Sequence, residues 1–153
     1  MYLNVHSSYS LRYGTMTIKK LVAEAAAMGI EQMALTDINN STGAMEFIRE
    51  CQDKKLKAIT GIEFRRSGRI LYIGIARNRE GMKELNDFLT FYNLNGMELP
   101  DKPWDFRNAY IIYPYRGEQP VLKENEFLGI AYRDLNSLFG KPLSQIKEKI
   151  VAL

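Results

Sequence analysis

The strongest constraint on this chain is an alternation: short apolar runs take turns with longer stretches whose apolar positions recur at helical spacing. Tyr2 to His6 reads as a first strand. Thr17 is placed to cap a helix running to about Met28, because Ile18, Leu21, Val22, Ala25 and Ala26 fall on one face. Gly29 ends that helix in the C′ position. Gln32 to Thr36 makes a second strand, closed by Asp37, and a second helix starts near Ser41 or Thr42 with Ala44, Phe47, Ile48 and Cys51 inward. Leu56 to Phe64 is a third strand, Ser67-Gly68 a turn and Arg69 to Ala76 a fourth strand. A third helix follows Asn78, with Met82, Leu85, Leu89 and Tyr92 on one side, and stops at Asn95-Gly96. Ala109 to Tyr113 and Phe127 to Ala131 read as further strands. Arg133 to Phe139 and Leu143 to Leu153 read as helices, the latter capped by Ser144. This order predicts an α/β fold: a mainly parallel sheet with helices packed outside it.

Ligand sites in such sheets sit at the C-terminal ends of the strands. His6, the only histidine in the chain, stands at one such end, and Asp37 and Glu63 stand at two more. Composition narrows the options. The net charge is only +3, and the bases are scattered apart from Lys54-Lys55-Lys57 and Arg65-Arg66, so no concentrated nucleic-acid-binding face is expected. A lone cysteine excludes an internal disulfide and suits a reducing cytoplasm. Cys51 itself falls on a buried helix face and reads as a core thiol rather than a nucleophile. No apolar run approaches the roughly 20 residues that span a bilayer, and no signal peptide is expected at the N-terminus. Tyr9 and Tyr13 read as loop residues, Tyr110, Tyr113 and Tyr115 as packing, and Trp104 as a loop anchor.

Three segments, LNVHSSYSL, ALTDINNSTGAMEF and ITGIEF, resemble the start of a PHP (polymerase and histidinol phosphatase) domain. More narrowly they are similar to the N-terminal PHP domain of bacterial DNA polymerase III alpha subunits, and ARNREGMKELNDF extends the likeness. The match is strongest over residues 1–95. It implies one PHP-like domain over 1–153, a partial (β/α) barrel truncated relative to the family. In that family the first strand ends in His-x-His, the second in Asp-His and the third in Gly-x-Glu. With later residues these hold two or three divalent metals that activate water for phosphoester hydrolysis.

Mapped here, the first histidine is Asn4 and the second is His6. Asp37 is followed by Ile38, which has no donor atom, and Glu63 follows Gly61 at the expected spacing. The resemblance thus leaves His6, Asp37 and Glu63 as vestigial or mononuclear metal ligands, with Asn4 and Ile38 as degenerate positions. It implies no bound cofactor, or at most one divalent ion such as Zn, Mn or Mg. Without a metal, Asp37 and Glu63 would confront each other as like charges, so a basic side chain is expected in the ion's place, Arg12 first and Arg66 second. The function implied is a structural and partner-binding one in DNA replication. The partners would be the rest of the polymerase alpha subunit and replisome proteins, with DNA reached only through the full-length protein and no membrane involved. The rival is a metal-dependent phosphoesterase: a histidinol-phosphatase-like enzyme, a pyrophosphatase or a 3′-5′ exonuclease.

Overall fold

Among the described residues seven strands follow one another across a single sheet in the order in which they occur in the chain. The computed structural model describes residues 2–117, 121–138 and 147–153. β1 (Tyr2–Val5), β2 (Gln32–Leu35) and β3 (Lys57–Arg66) are mutually parallel. β4 (Arg69–Ala76) runs antiparallel to β3 and to β5 (Ala109–Pro114). β5, β6 (Glu126–Ile130) and β7 (Ile150–Ala152) are again parallel. The architecture is therefore an α/β half-barrel with a mostly parallel sheet.

The single reversal has a local cause. Ser67 and Gly68 both lie at positive φ, 50° and 78°, the conformation of a two-residue type I′ hairpin turn. Such a turn leaves no room for a crossover helix, so β4 must pair back on β3, with Arg66 opposite Arg69. A register shift between Phe64 and Arg65 then lets consecutive Leu71 and Tyr72 both enter the core.

The helices form where their capping chemistry allows. α1 (Ile18–Ala27) is capped by Thr17, whose hydroxyl accepts from Lys20 N–H at 3.4 Å. α3 (Arg79–Leu94) is capped by Asn78, which accepts from Gly81 N–H at 2.9 Å. α2 (Ala44–Asp53) starts later than Ser41 or Thr42, because the Ser41 hydroxyl donates to Asn86 Oδ1 at 2.7 Å instead of capping. The expected helix from Arg133 is a 3-10 helix over Tyr132–Leu138. The last expected helix, Leu143 to Leu153, is corrected where it is described: Ile150–Ala152 is a strand, and Ser144 lies outside the described residues. Ile150, Val151 and Ala152 pair with Leu128, Gly129 and Ile130, and the open edge of β6 outweighs the helical reading of the apolar spacing.

Two cores flank the sheet's outer face. Ile18, Val22, Met33, Leu35, Phe47 and Cys51 pack under α1 and α2, where burial pushes the Cys51 thiol up to about 11. Under α3 the core is aromatic and Phe88 is its hub, with ring centroids 5.3 Å from Phe64, 4.8 Å from Tyr92 and Trp104, and 5.5 Å from Phe106. Trp104 thus does anchor its loop, although it stays partly exposed. A third cluster, around Ala34, Ile73, Ile75 and Ile112, fills the inner, concave face. Phe88→Ala should lower the free energy of unfolding by about 3–5 kcal/mol in urea titrations. A loss below about 1 kcal/mol would show that the aromatic hub does not hold α3 to the sheet.

Candidate functional site

The rim formed by the C-terminal ends of β1, β2 and β3 gathers the polar residues that are buried. Ser7, Ser10, Thr36, Asp37 and Glu63 are the buried polar and charged side chains of the described residues. Past the end of β2 the chain stays beside β3: Glu63 N–H donates to Asp37 C=O at 3.2 Å and Asn39 N–H to Glu63 C=O at 2.9 Å. Ile38 and Glu63 form an isolated parallel bridge there.

Glu63 is fully buried at the centre of this rim. Asn4 Nδ2 donates to its Oε2 at 2.8 Å, and Asn4 Oδ1 in turn accepts from Thr36 Oγ1 at 2.7 Å. His6 Nε2 stands 3.3 Å from the same oxygen, yet its geometry leaves that buried nitrogen without a hydrogen bond. The other oxygen, Oε1, accepts from the Nε of Arg65 in a buried ion pair. Burial is the largest single influence on the Glu63 carboxyl and pushes its pKa up. The imidazole of His6, the guanidinium of Arg65 and the amide of Asn4 together outweigh it and hold the group below the usual glutamate range.

Arg65 is fixed at both ends. Its guanidinium lies 4.1 Å from the centre of the Tyr13 ring. Its backbone exchanges two hydrogen bonds of 2.8 Å with the Asn39 side chain. Neither Arg12 nor Arg66, the expected counter-ions, pairs with Glu63 or Asp37. Arg12 is exposed in the first loop. Arg66 points away from the rim, donating to Leu99 C=O at 2.7 Å and to Asp101 Oδ1 at 2.8 Å. The physical reason is the two-residue period of a strand: Glu63 and Arg65 share a face and Arg66 takes the other.

Asp37 has its own donors. Oδ1 accepts from Ser7 N–H at 2.8 Å and Ser10 Oγ at 2.6 Å, and Oδ2 accepts from Ser7 Oγ at 2.7 Å. Ser10 Oγ also accepts from Ile38 N–H at 2.9 Å, so the loop after β1 is laced to the end of β2. Gly14 is required where that loop crosses itself, because a Cβ there would lie 1.7 Å from Ser7 C=O. The two carboxylates are therefore satisfied separately, and the expected confrontation of like charges does not arise. Each of the four carboxylate oxygens already accepts a hydrogen bond. Among the described residues no three His, Cys, Asp or Glu side chains converge to hold a metal ion. Arg65, Ser7, Ser10 and Thr36 were not singled out from the sequence. Two signals were available: the Glu-x-Arg spacing in β3 and the Ser-rich loop after His6.

A fold and rim of this kind define a class. The PHP domain family matches residues 3–140, and the chain belongs to that family. Several relatives are polymerases. The DNA polymerase III subunit alpha of Treponema pallidum is 38% identical over 99 residues, covering 56% of this chain and 8% of that protein. The corresponding subunit of Chlamydia trachomatis is 44% identical over 61 residues, 40% of this chain and 5% of the other. The error-prone DNA polymerase of Symbiobacterium thermophilum is 35% identical over 94 residues, 61% of this chain and 9% of the other. The chain thus spans less than a tenth of the length of these relatives. A Bifidobacterium adolescentis structure, provisionally described as a metal-dependent phosphoesterase, aligns with a TM-score of 0.43 at 18% identity, over 57% of this chain and 32% of that one. That likeness is too distant to bear on chemistry. No helix among the described residues is long and apolar enough to cross a membrane.

Arg65→Met should leave Glu63 as an uncompensated buried charge and cost about 3–5 kcal/mol of stability at neutral pH. The folded-state pKa of Glu63 is lowered, so its contribution is present above the ordinary carboxyl range and lost as pH falls through the folded value. In Arg65→Met burial dominates and Glu63 takes up a proton more readily, so the deficit against wild type should shrink as pH is lowered. Adding Glu63→Gln should recover most of it. Urea titrations between about pH 7 and pH 4 check this, and a deficit independent of pH would refute the assignment.

Proposed function

We propose that this chain is a PHP-like domain of the polymerase alpha-subunit type whose metal centre is degenerate. Its role in DNA replication is to support the fold and contacts of a larger polymerase in the cytoplasm rather than to hydrolyse phosphoesters. The observation that carries this reading is the Arg65 guanidinium on Glu63, the carboxylate that the family resemblance assigns to metal binding. A divalent ion at Glu63 would have to compete with a resident cation whose backbone and ring are both held in place. At Asp37 it would have to displace the Ser7 and Ser10 donors, which close the first loop. Asn4 and Ile38 supply no replacement imidazoles: the Asn4 amide is used by Glu63 and Thr36, and Ile38 enters the network only through its backbone. The residues present do not fit a hydrolytic metal cluster.

The reading is tested by thermal unfolding with Mn²⁺, Zn²⁺ or Mg²⁺ against a chelator. An ion present at about 100 times its dissociation constant would add roughly 2.7 kcal/mol of stability. The expected result is the same unfolding temperature in every condition. A stabilisation that disappears in Asp37→Ala would overturn the proposal and restore the phosphoesterase reading.

A further inference from the structure

Away from the rim, the inner face of the curled sheet holds a cavity of about 170 Å³ lined by Leu3, Ile75, Tyr110, Ile112, Phe127 and Val151. Five of these six side chains carry no polar atom. The place of the cavity follows from strand direction. Leu3, Tyr110, Phe127 and Val151 are the second residues of β1, β5, β6 and β7, and Ile75 is the last but one of the antiparallel β4. All five therefore stand one step in from the end of the sheet opposite the rim. Ile112 is two residues further along β5 and sits one layer deeper. Leu3 belongs to the first strand of the sheet and Val151 to the last, so the sheet curls around this space.

Two cations stand at that end on the same face. The two-residue period of a strand groups Arg77 with Ile75 and Lys149 with Val151. Ring contacts agree with it: the Arg77 guanidinium lies 5.1 Å from the centre of the Tyr110 ring, and the Lys149 ammonium 5.4 Å from that of Phe127. The two rings meet edge to face with centroids 5.4 Å apart, which sets both cations beside the cavity. Neither pairs with a carboxylate among the described residues. Lys149 Nζ donates to the carbonyls of Lys123 and Glu124, which leaves one of its protons free. The Arg77 guanidinium donates no hydrogen bond among the described residues, and it is exposed.

We propose that this cavity binds a small amphiphilic anion, a carboxylate head on an apolar body. Size sets the body: apolar cavities of about 150 Å³ accept a benzene ring, so one ring or a chain of about six to eight carbons fits here. An α-helix, about 10 Å across, is too wide. The open donors of Arg77 and Lys149 receive the head through charge-assisted hydrogen bonds. An apolar pocket with a few polar groups at its border is the usual form of a small-molecule site. A nucleotide is the poorer occupant, because the polar edge of its base would be buried against side chains that cannot bond it. The site lies at the opposite end of the strands from Asp37 and Glu63. It goes beyond the proposed function and does not depend on it.

The test titrates octanoate into the isotope-labelled 153-residue chain and follows backbone amide chemical shifts. Saturable shifts should centre on Ile75, Tyr110, Phe127 and Val151, with octanoate bound at least about ten-fold more tightly than octylammonium or butyrate. The variant R77Q/K149Q should lose about ten-fold in octanoate affinity, and with it the preference over octylammonium. V151F, which fills the cavity from the last strand, should abolish binding while the amides of Asp37 and Glu63 keep their shifts. If V151F does not fold, the result for R77Q/K149Q decides. Shifts that do not saturate or that centre elsewhere, equal binding of octylammonium, unchanged affinity in R77Q/K149Q, or tighter binding of adenosine monophosphate would each overturn the proposal.

Discussion

A carboxylate with no exposure to solvent is expensive unless it is fully partnered, and Glu63 sets that condition for the whole rim. Its partners come from different parts of the chain: Asn4 and His6 from β1 and its end, and Arg65 from β3. Through Asn4 the network reaches Thr36 at the end of β2. Satisfying one charge therefore aligns three strand ends, with a precision that apolar packing alone would not impose. The same donors that hold the group ionised are the ones that determine where β1 sits.

Asp37 does for the first loop what Glu63 does for the strands. Its oxygens draw in both the backbone and the hydroxyl of Ser7 and the hydroxyl of Ser10. The loop is tightened further by Ser10 N–H donating to Ser7 C=O at 2.9 Å and Gly14 N–H to Ser10 C=O at 2.9 Å. Tyr13 emerges from this folded loop with its ring under Arg65, so the two carboxylate networks touch through a cation on an aromatic face. Asp37 and Glu63 thus fasten the first loop and the strand ends to one another.

The order of strands and helices up to α3 was legible because each boundary has a local chemical signal: Thr17 and Gly29 around α1, the Ser67–Gly68 turn, and Asn78 before α3. The rim positions His6, Asp37 and Glu63 were legible for the same reason, as polar residues ending apolar runs. The counter-ion was not: Arg12 and Arg66 are the expected ones, and neither pairs with Glu63 or Asp37. What decides is the alternation along β3, which sets Arg65 two residues from Glu63 on the same face. The strand Ile150–Ala152 was read as helix because its identity comes from pairing with β6, a contact between residues far apart in sequence. The start of α2 near Ser41 has the same kind of cause, since the Ser41 hydroxyl is spent on Asn86 of α3.

The reversal of β4 also has an electrostatic consequence. α1 and α2 leave the rim after β1 and β2, so both begin there. α3 follows a strand that runs the other way, and it therefore begins at the opposite end of the sheet and finishes on the rim side, where the segment after it meets Arg66 through Leu99. A uniform strand–helix repeat would turn three positive helix ends toward the rim. Of the three α-helices in the described residues, two begin at the rim and the third sets its negative end beside them, equivalent to about half an elementary charge at each terminus. The field over the strand ends is accordingly less welcoming to an anion than that of an unbroken barrel, whichever side chains line it.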